Sequence, residues 1–175
     1  MEKYVFDACS LIYLTKINVK EILPKLGEVI ISSTVKNELI EDIEKFKDAK
    51  TLKKNIKKKI IKESNYKIKN LFSTKNLGKG EKETIEICLN NEGIPVTDDY
   101  QALNLAVSVG LQPKTSEIIL IDLLKRSIID YEKFNTLFGE LAVIKVLKPE
   151  IVTFFIEKAK EIIKIKNNKS MEENI

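Results

Sequence analysis

Acidic residues stand at several points of this 175-residue sequence where a metal ion could use them. Asp7 closes the apolar stretch 3–7 (KYVFD), which we predict to be a buried strand. Asp98 and Asp99 follow a second β-favouring stretch at 94–97. The carboxyl ends of parallel strands meet at one edge of a sheet, and ligands bind at that edge. We therefore expect these carboxylates to lie close together.

Two glutamates extend the acidic set. Glu81 falls in the first turn of a predicted helix and shares a face with the apolar residues Ile85 and Cys88. An acid near a helix N-terminus is favourable by ~0.3–1 kcal/mol, but this does not explain an acid on the inward face. Glu38 lies beside Leu39 on an earlier predicted helix and raises the same question. Both are therefore candidate site residues.

Glu83 is left outside the predicted site. It comes two residues after Glu81, which places it about 200° around the helix. We expect it to face solvent.

Carboxylates that converge repel one another, and each has a raised pKa unless a cation lies among them. Oxygen ligands select hard ions, so Mg²⁺ or Mn²⁺ is the expected occupant. Such an ion activates water and stabilises the charge that develops on a phosphodiester during hydrolysis. The chain contains no His, which excludes the Ser-His and Cys-His nucleophile pairs and the usual zinc ligand. Hydrolysis by this chain would rest on carboxylates, Lys, Tyr or a hard metal.

Simpler explanations exist for some of these residues. An Asp-Asp pair at a strand-to-helix turn is also a good N-cap for the next helix. Ser10 can cap a helix that starts at residue 11, and Thr97 can simply end a strand. The order of the acids along the chain is more specific than any one of them.

The basic charge is concentrated in one segment. The net charge is +4, and residues 45–69 contain eleven Lys against two acids. A phosphate backbone is a plausible partner for this segment, and a solvated amphipathic helix explains it equally well.

Cys9 and Cys88 lie in separate apolar stretches and are expected to be buried thiols. No stretch has the length or apolarity of a signal peptide or a membrane span, so we expect a cytoplasmic protein.

Short apolar stretches alternate with helical patterns through most of the chain. This order predicts an α/β fold with a central parallel sheet and helices on both faces. We expect one domain over residues 1–149, with a last strand within 138–149. A helix over 150–166 and a disordered tail over 167–175 would follow.

Four stretches together resemble the PIN-domain nucleases. They are YVFDACSLI, VKNEL, GKGEKETIEI and PVTDDYQALNLAVSVGL, in the order that family uses and over most of the first 111 residues. GKGEKETI and TDDYQALNLA are most similar to the prokaryotic, toxin-like branch. KTSEIILIDLLKRSIID resembles the helix that follows the Asp-Asp motif in that branch.

The resemblance implies a three-layer α/β/α sandwich and a Mg²⁺- or Mn²⁺-dependent endoribonuclease. The chain departs from the family pattern in a Lys-rich insert at about 45–69, which we predict to be helical, and in the C-terminal helix and tail after residue 149. The resemblance assigns catalysis to Asp7, Glu38, Glu81 and Asp99, and metal binding to Asp7, Glu81, Asp98 and Asp99. Either Asp98 or Asp99 could be the fourth acid of the family. Ser10 matches a small hydroxyl residue near the first acid. We add Ser10, Thr97, Lys57, Lys58 and Lys59 as residues expected to bind substrate.

Partners and competing functions follow from the same comparison. RNA is the expected substrate, and the protein could be the toxin of a toxin–antitoxin pair with a small antitoxin-like partner. The C-terminal helix would pack on the domain, form a homodimer interface or receive a partner. The main alternative is a non-catalytic RNA- or protein-binding module on the same fold. A phosphatase with Asp7 as nucleophile ranks last, because Cys9 stands where a second acid is usual.

Overall fold

The computed structural model describes residues 1–41, 54–56, 58, 60–91 and 93–172. The chain divides into two compact units, Met1–Ser116 and Glu117–Ile175. The regular elements of the first unit are β1 (Lys3–Phe6), α1 (Ala8–Lys16), β2 (Glu28–Ile31), α2 (Ser33–Glu41), β3 (Lys62–Glu63), α3 (Lys79–Asn91), β4 (Ile94–Val96) and α4 (Tyr100–Ser108). The predicted limits of the domain at residues 1 and 149 stay a prediction.

The four strands form a parallel sheet in the order β3-β2-β1-β4. The chain moves in one direction from β1 to β3 and then returns past β1 to β4. Because crossover connections are right-handed, this reversal places α1 and α2 on one face and α3 on the other. The predicted α/β/α sandwich with a central parallel sheet is confirmed.

The reversal of strand order has a functional consequence. Ligands of open parallel sheets bind outside the carboxyl ends of the strands at such a switch point. Here that point lies between β1 and β4, where Phe6 pairs with Val96 at the ends of both strands. Asp7 and Thr97 are the next residues along the chain.

Both faces of β1 are buried. Tyr4, Val5 and Phe6 are at most 1% exposed, which is why this strand reads as a continuous apolar run. Ile87 and Cys88 of α3 pack against Val5. This packing therefore fixes the positions of β1 and α3 relative to each other.

The Lys-rich segment is only partly helical. Residues 54–56 are helical, but Lys62–Glu63 form edge strand β3. Residues 64–74 have no regular structure, so the insert predicted to be helical over about 45–69 is not helical in its last part. Residues 45–53, 57 and 59 of the insert lie outside the described residues.

The second unit contains α5 (Ser116–Lys125), α6 (Tyr131–Lys145) and α7 (Pro149–Glu172). The strand predicted within 138–149 is wrong, because α6 continues to Lys145. The predicted C-terminal helix is present and runs to Glu172, so the expected disordered tail does not begin at residue 167.

Aromatic packing joins the last two helices. The rings of Phe134 and Phe138 stack at 5.5 Å between centroids, and Phe155 of α7 lies 5.6 Å from Phe138. Lys145 Nζ lies 2.5 Å from Glu117 Oε1, and both side chains are largely buried. These contacts give the second unit its own core.

The two cysteines differ. Cys88 is buried as predicted, whereas Cys9 is exposed, so that prediction is wrong. It faces outward because α1 buries Ser10 and Leu11 instead. In the part of the chain that the structure describes, no helix combines the length and apolarity that crossing a membrane requires.

Candidate active site

Asp7 is the most completely enclosed acid at the switch point. Its side chain is 0% exposed, and its backbone N–H donates to Val96 O at 3.0 Å. Oδ1 accepts from Ser10 N at 2.8 Å, which makes Asp7, and not Ser10, the N-cap of α1. Oδ2 accepts from Thr97 Oγ1 at 2.5 Å. Two strands and one helix therefore fix the orientation of this carboxylate.

Burial raises the pKa of Asp7 from 3.8 to about 6. The hydrogen bonds from Thr97 and Ser10 lower it, and the nearby charge of Asp98 raises it further. Desolvation is the largest cause, because the ionised carboxylate loses its water without a positive charge beside it. An enclosed carboxylate with a raised pKa is typical of functional sites.

Thr97 and Ser10 support Asp7. Thr97 Oγ1 accepts from Asp99 N at 3.2 Å while it donates to Asp7, so one hydroxyl links the ends of β1 and β4. The Ser10 hydroxyl is buried and makes no well-formed hydrogen bond, yet it lies near enough to Asp7 to help lower its pKa. In this geometry the Thr97 hydroxyl and the Ser10 backbone N–H hold the acid in position.

The two consecutive aspartates have different surroundings. Asp98 Oδ1 accepts from Ser116 N at 3.0 Å, and Oδ2 accepts from Ser116 Oγ. The exposed Asp99 is the N-cap of α4, since its Oδ1 accepts from Ala102 N at 2.8 Å. Both oxygens of Asp98 thus accept hydrogen bonds from Ser116, and Asp99 is the more exposed of the two aspartates.

The side chains of Glu38, on α2, and Glu81, on α3, both lie at the N-terminal end of α3. A Cβ on Gly80 would lie 2.9 Å from Glu38 Oε2 and 3.0 Å from Val35, so the glycine makes room for the Glu38 carboxylate. Glu81 Oε2 folds back over Gly78, where a Cβ would overlap it. The two predicted acids therefore lie beside neighbouring residues of one helix start.

Glu83 is a further candidate site residue, left out of the set predicted from the sequence, and its predicted solvent exposure is wrong. It is 4% exposed, and its Oε1 accepts from Thr34 Oγ1 of α2 at 2.7 Å. Lys79 Nζ lies 3.8 Å from the same oxygen. Oε2 is buried without a hydrogen-bond partner. A buried carboxylate oxygen without a donor is a natural ligand for a cation.

The helix α3 is attached to the end of β1. Thr84 Oγ1 donates to Phe6 O at 3.4 Å, one residue before Asp7. Glu86, also buried, has another role, because it accepts from the backbone N–H groups of Lys69 and Leu71 and so holds the connection before α3. Glu83 and Glu86, two buried acids of α3, thus contact different parts of the chain.

The donor set suits a hard divalent ion. Its members are oxygens, burial raises the pKa of Asp7, and one buried oxygen of Glu83 has no hydrogen-bond partner. Within the described part of the chain, no three Asp, Glu, Cys or His side chains are grouped closely enough to hold a metal ion, so the structure does not bring the predicted acids together as one cluster. Lys58 is exposed in a turn, and Lys57 and Lys59 lie outside the described residues, so their predicted role stays a prediction.

Gly80→Ala tests the contact between α2 and α3. The new methyl group would displace the Glu38 carboxylate, and we expect divalent-metal affinity to fall about tenfold with little change in stability. Isothermal titration with Mn²⁺ measures this. Gly139→Ala is the matched control, since nothing lies within 4 Å of its Cβ position. It should keep metal affinity and stabilise α6 by about 0.5–1 kcal/mol. Equal metal affinity in both variants would contradict a ligand role for Glu38.

A family model described as a PIN domain matches residues 3–161. No curated protein and no solved structure matches the chain significantly.

Proposed function

Because this chain belongs to the PIN-domain family, whose members are typically nucleases that use divalent metals, we propose that it is a Mg²⁺- or Mn²⁺-dependent endoribonuclease. The observation that carries the proposal is the buried carboxylate of Asp7, held between Ser10 and Thr97 at the switch point of the sheet. Such a carboxylate has a functional reason to stay ionised only if it binds a cation.

Asp7 and Asp99 would hold the principal ion, with Asp98 as the alternative to Asp99. Glu38 and Glu81 would complete the ligand set. We add Glu83, because its unpartnered oxygen lies at the α2–α3 contact. A bound ion would lower the pKa of a water and stabilise charge on the scissile phosphate. The family comparison implies products with a 5′-phosphate and a 3′-hydroxyl.

The neighbours of Asp7 hold its carboxylate in position. Thr97 and the Ser10 N–H hold the Asp7 carboxylate in one orientation, with its oxygens fixed before a ligand binds. Preorganised charges of this kind cost no reorganisation during the reaction. No His is needed for proton transfer in such a site.

The test uses a mixed-sequence single-stranded RNA with the full chain in Mg²⁺, Mn²⁺ or EDTA. We expect cleavage with metal and none in EDTA, because the carboxylates alone cannot activate water. Glu83→Gln should slow cleavage at least tenfold if Glu83 is a ligand, and Glu86→Gln, which changes a buried acid on the same helix, is the comparison for a structural effect. No cleavage with either metal, by protein that is folded, would overturn the nuclease proposal.

The second candidate is a binding module on the same fold. The raised pKa of Asp7 argues against it, because a protein that only binds gains nothing from a buried carboxylate without a counter-ion. This candidate would take first place if RNA bound without being cleaved.

A role as a toxin remains a prediction from the resemblance, as do a small antitoxin-like partner, a homodimer and a cytoplasmic location. A gene for a small protein directly beside this one would support the toxin role. Co-expression of the two products should then suppress cleavage.

A further inference from the structure

A cavity of about 320 Å³ opens in the first unit next to the starts of α3 and α4. This volume is near the lower end of the range for small-ligand sites. The cavity is lined by Thr74, Lys75, Asn76, Leu77, Gln101 and Leu105. None of these residues belongs to the site predicted from the sequence.

The cavity has an apolar floor. Leu77 belongs to the buried cluster that joins α3 to α4, and Leu105 packs against that cluster. Because the floor is part of the core, its shape is fixed by packing and does not depend on a mobile side chain. A flat apolar group can therefore be buried against it.

The rim carries groups that recognise nucleobases. Asn76 and Gln101 are exposed amides that line the cavity from different elements, one from the loop before α3 and the other from α4. An amide side chain presents a donor and an acceptor together and can pair with the edge of a base. Lys75 adds a positive charge suited to a phosphate. Together these residues match an unpaired nucleotide, whose base edge is accessible.

The position of the cavity links it to the candidate active site. Gln101 comes two residues after Asp99, the N-cap of α4. Leu77 directly precedes Gly78, over which the Glu81 carboxylate folds. Two of the proposed acids therefore lie within a turn of the cavity along the chain.

We propose that this cavity is a subsite for one unpaired RNA base beside the phosphodiester to be cleaved, and that Asn76 and Gln101 select the base. The placement beside a scissile bond rests on the proposed nuclease function. Base binding by the cavity does not, so the two ideas can fail separately.

The experiment measures binding of labelled eight-nucleotide A, U and C homopolymers to the full chain by fluorescence anisotropy. The chain carries Asp7→Asn, so that the RNA stays intact. We expect one homopolymer to bind best, and Gln101→Ala and Asn76→Ala each to weaken its binding about tenfold while reducing the preference among the three. Gln112→Ala, which removes an exposed amide beyond the end of α4, should change affinity less than twofold.

Three results would overturn the subsite. They are no measurable binding of any homopolymer, an equal loss for all three in the cavity variants, or no loss in either variant. Cleavage is measured separately, with Asp7 intact and with each cavity substitution made in that chain. If Gln101→Ala removes a base preference in binding but the chain with Asp7 intact does not cleave RNA, the subsite is supported and the nuclease proposal is overturned. Cleavage whose base preference is unchanged by both cavity variants would do the reverse.

Discussion

Replacing Asp7 with Asn should reduce metal-dependent RNA cleavage at least 100-fold while leaving the fold intact. The neutral amide can still accept the hydrogen bond from Ser10 N, so α1 keeps its cap. It no longer carries the charge that attracts a divalent ion. A loss of about 3 kcal/mol in stabilisation of the transition state corresponds to a factor of roughly 100 or more. Initial cleavage rates in saturating Mn²⁺ measure the effect.

The matched control for this variant is Asp130→Asn. Asp130 is also an aspartate N-cap, since its Oδ1 accepts from Lys133 N at 2.7 Å at the start of α6. It is exposed and belongs to the second unit. We expect it to cleave at the wild-type rate. If Asp7→Asn retained full activity, or if both variants lost it equally, Asp7 would not be a metal ligand.

The second large effect concerns pH and stability without metal. The folded pKa of Asp7 is raised from 3.8 to about 6, so the folded state binds this proton more tightly than the unfolded state. The free energy of unfolding therefore falls as the pH rises from about 4 to about 6 and is constant with respect to Asp7 above that. At 1.36 kcal/mol per pH unit, the full cost of ionising the buried group is about 3 kcal/mol.

Guanidinium titrations of the metal-free protein at pH 5.0 and 7.5 measure this effect. Relative to Asp7→Asn, the wild type should lose about 1–1.5 kcal/mol of stability between these values. The comparison removes the contributions of other titrating groups that both proteins share. With saturating Mn²⁺ the loss should disappear, because a bound cation stabilises the ionised carboxylate. The same pH dependence in wild type and variant would show that Asp7 has an ordinary pKa in the folded protein.

Local sequence signals were sufficient for the fold class and the first acids. Three apolar residues followed by Asp7 predict a buried strand that ends in a carboxylate, because a strand buried on both faces has no alternation. The structure shows this arrangement, with Tyr4–Phe6 buried and Asp7 enclosed at the strand end. The alternation of strands and helices was enough to predict the parallel sheet, since right-handed crossovers leave few topologies.

The prediction for Glu83 is wrong because its helix was assumed to bury only one face. Glu83 was placed toward solvent because periodicity predicts a single buried face for a surface helix. In the structure α3 contacts the sheet, α2 and α4, so residues 83–88 are all buried and both Glu83 and Glu86 receive partners. The strand expected within 138–149 is wrong because a short β-favouring stretch can also end a helix: Phe138 and Leu141 are buried on one face of α6, whereas Val143 and Val146 are exposed.

The sequence by itself determined which residue types are available for chemistry: carboxylates on separate elements, no His, and a parallel sheet with Asp7 and Asp99 expected at the carboxyl ends of its strands. Only the tertiary structure decided how each acid is used. Burial raises the pKa of Asp7, Ser116 engages both oxygens of Asp98, and Gly80 makes room for Glu38. These outcomes depend on desolvation and on donors from distant parts of the chain, which local spacing does not encode.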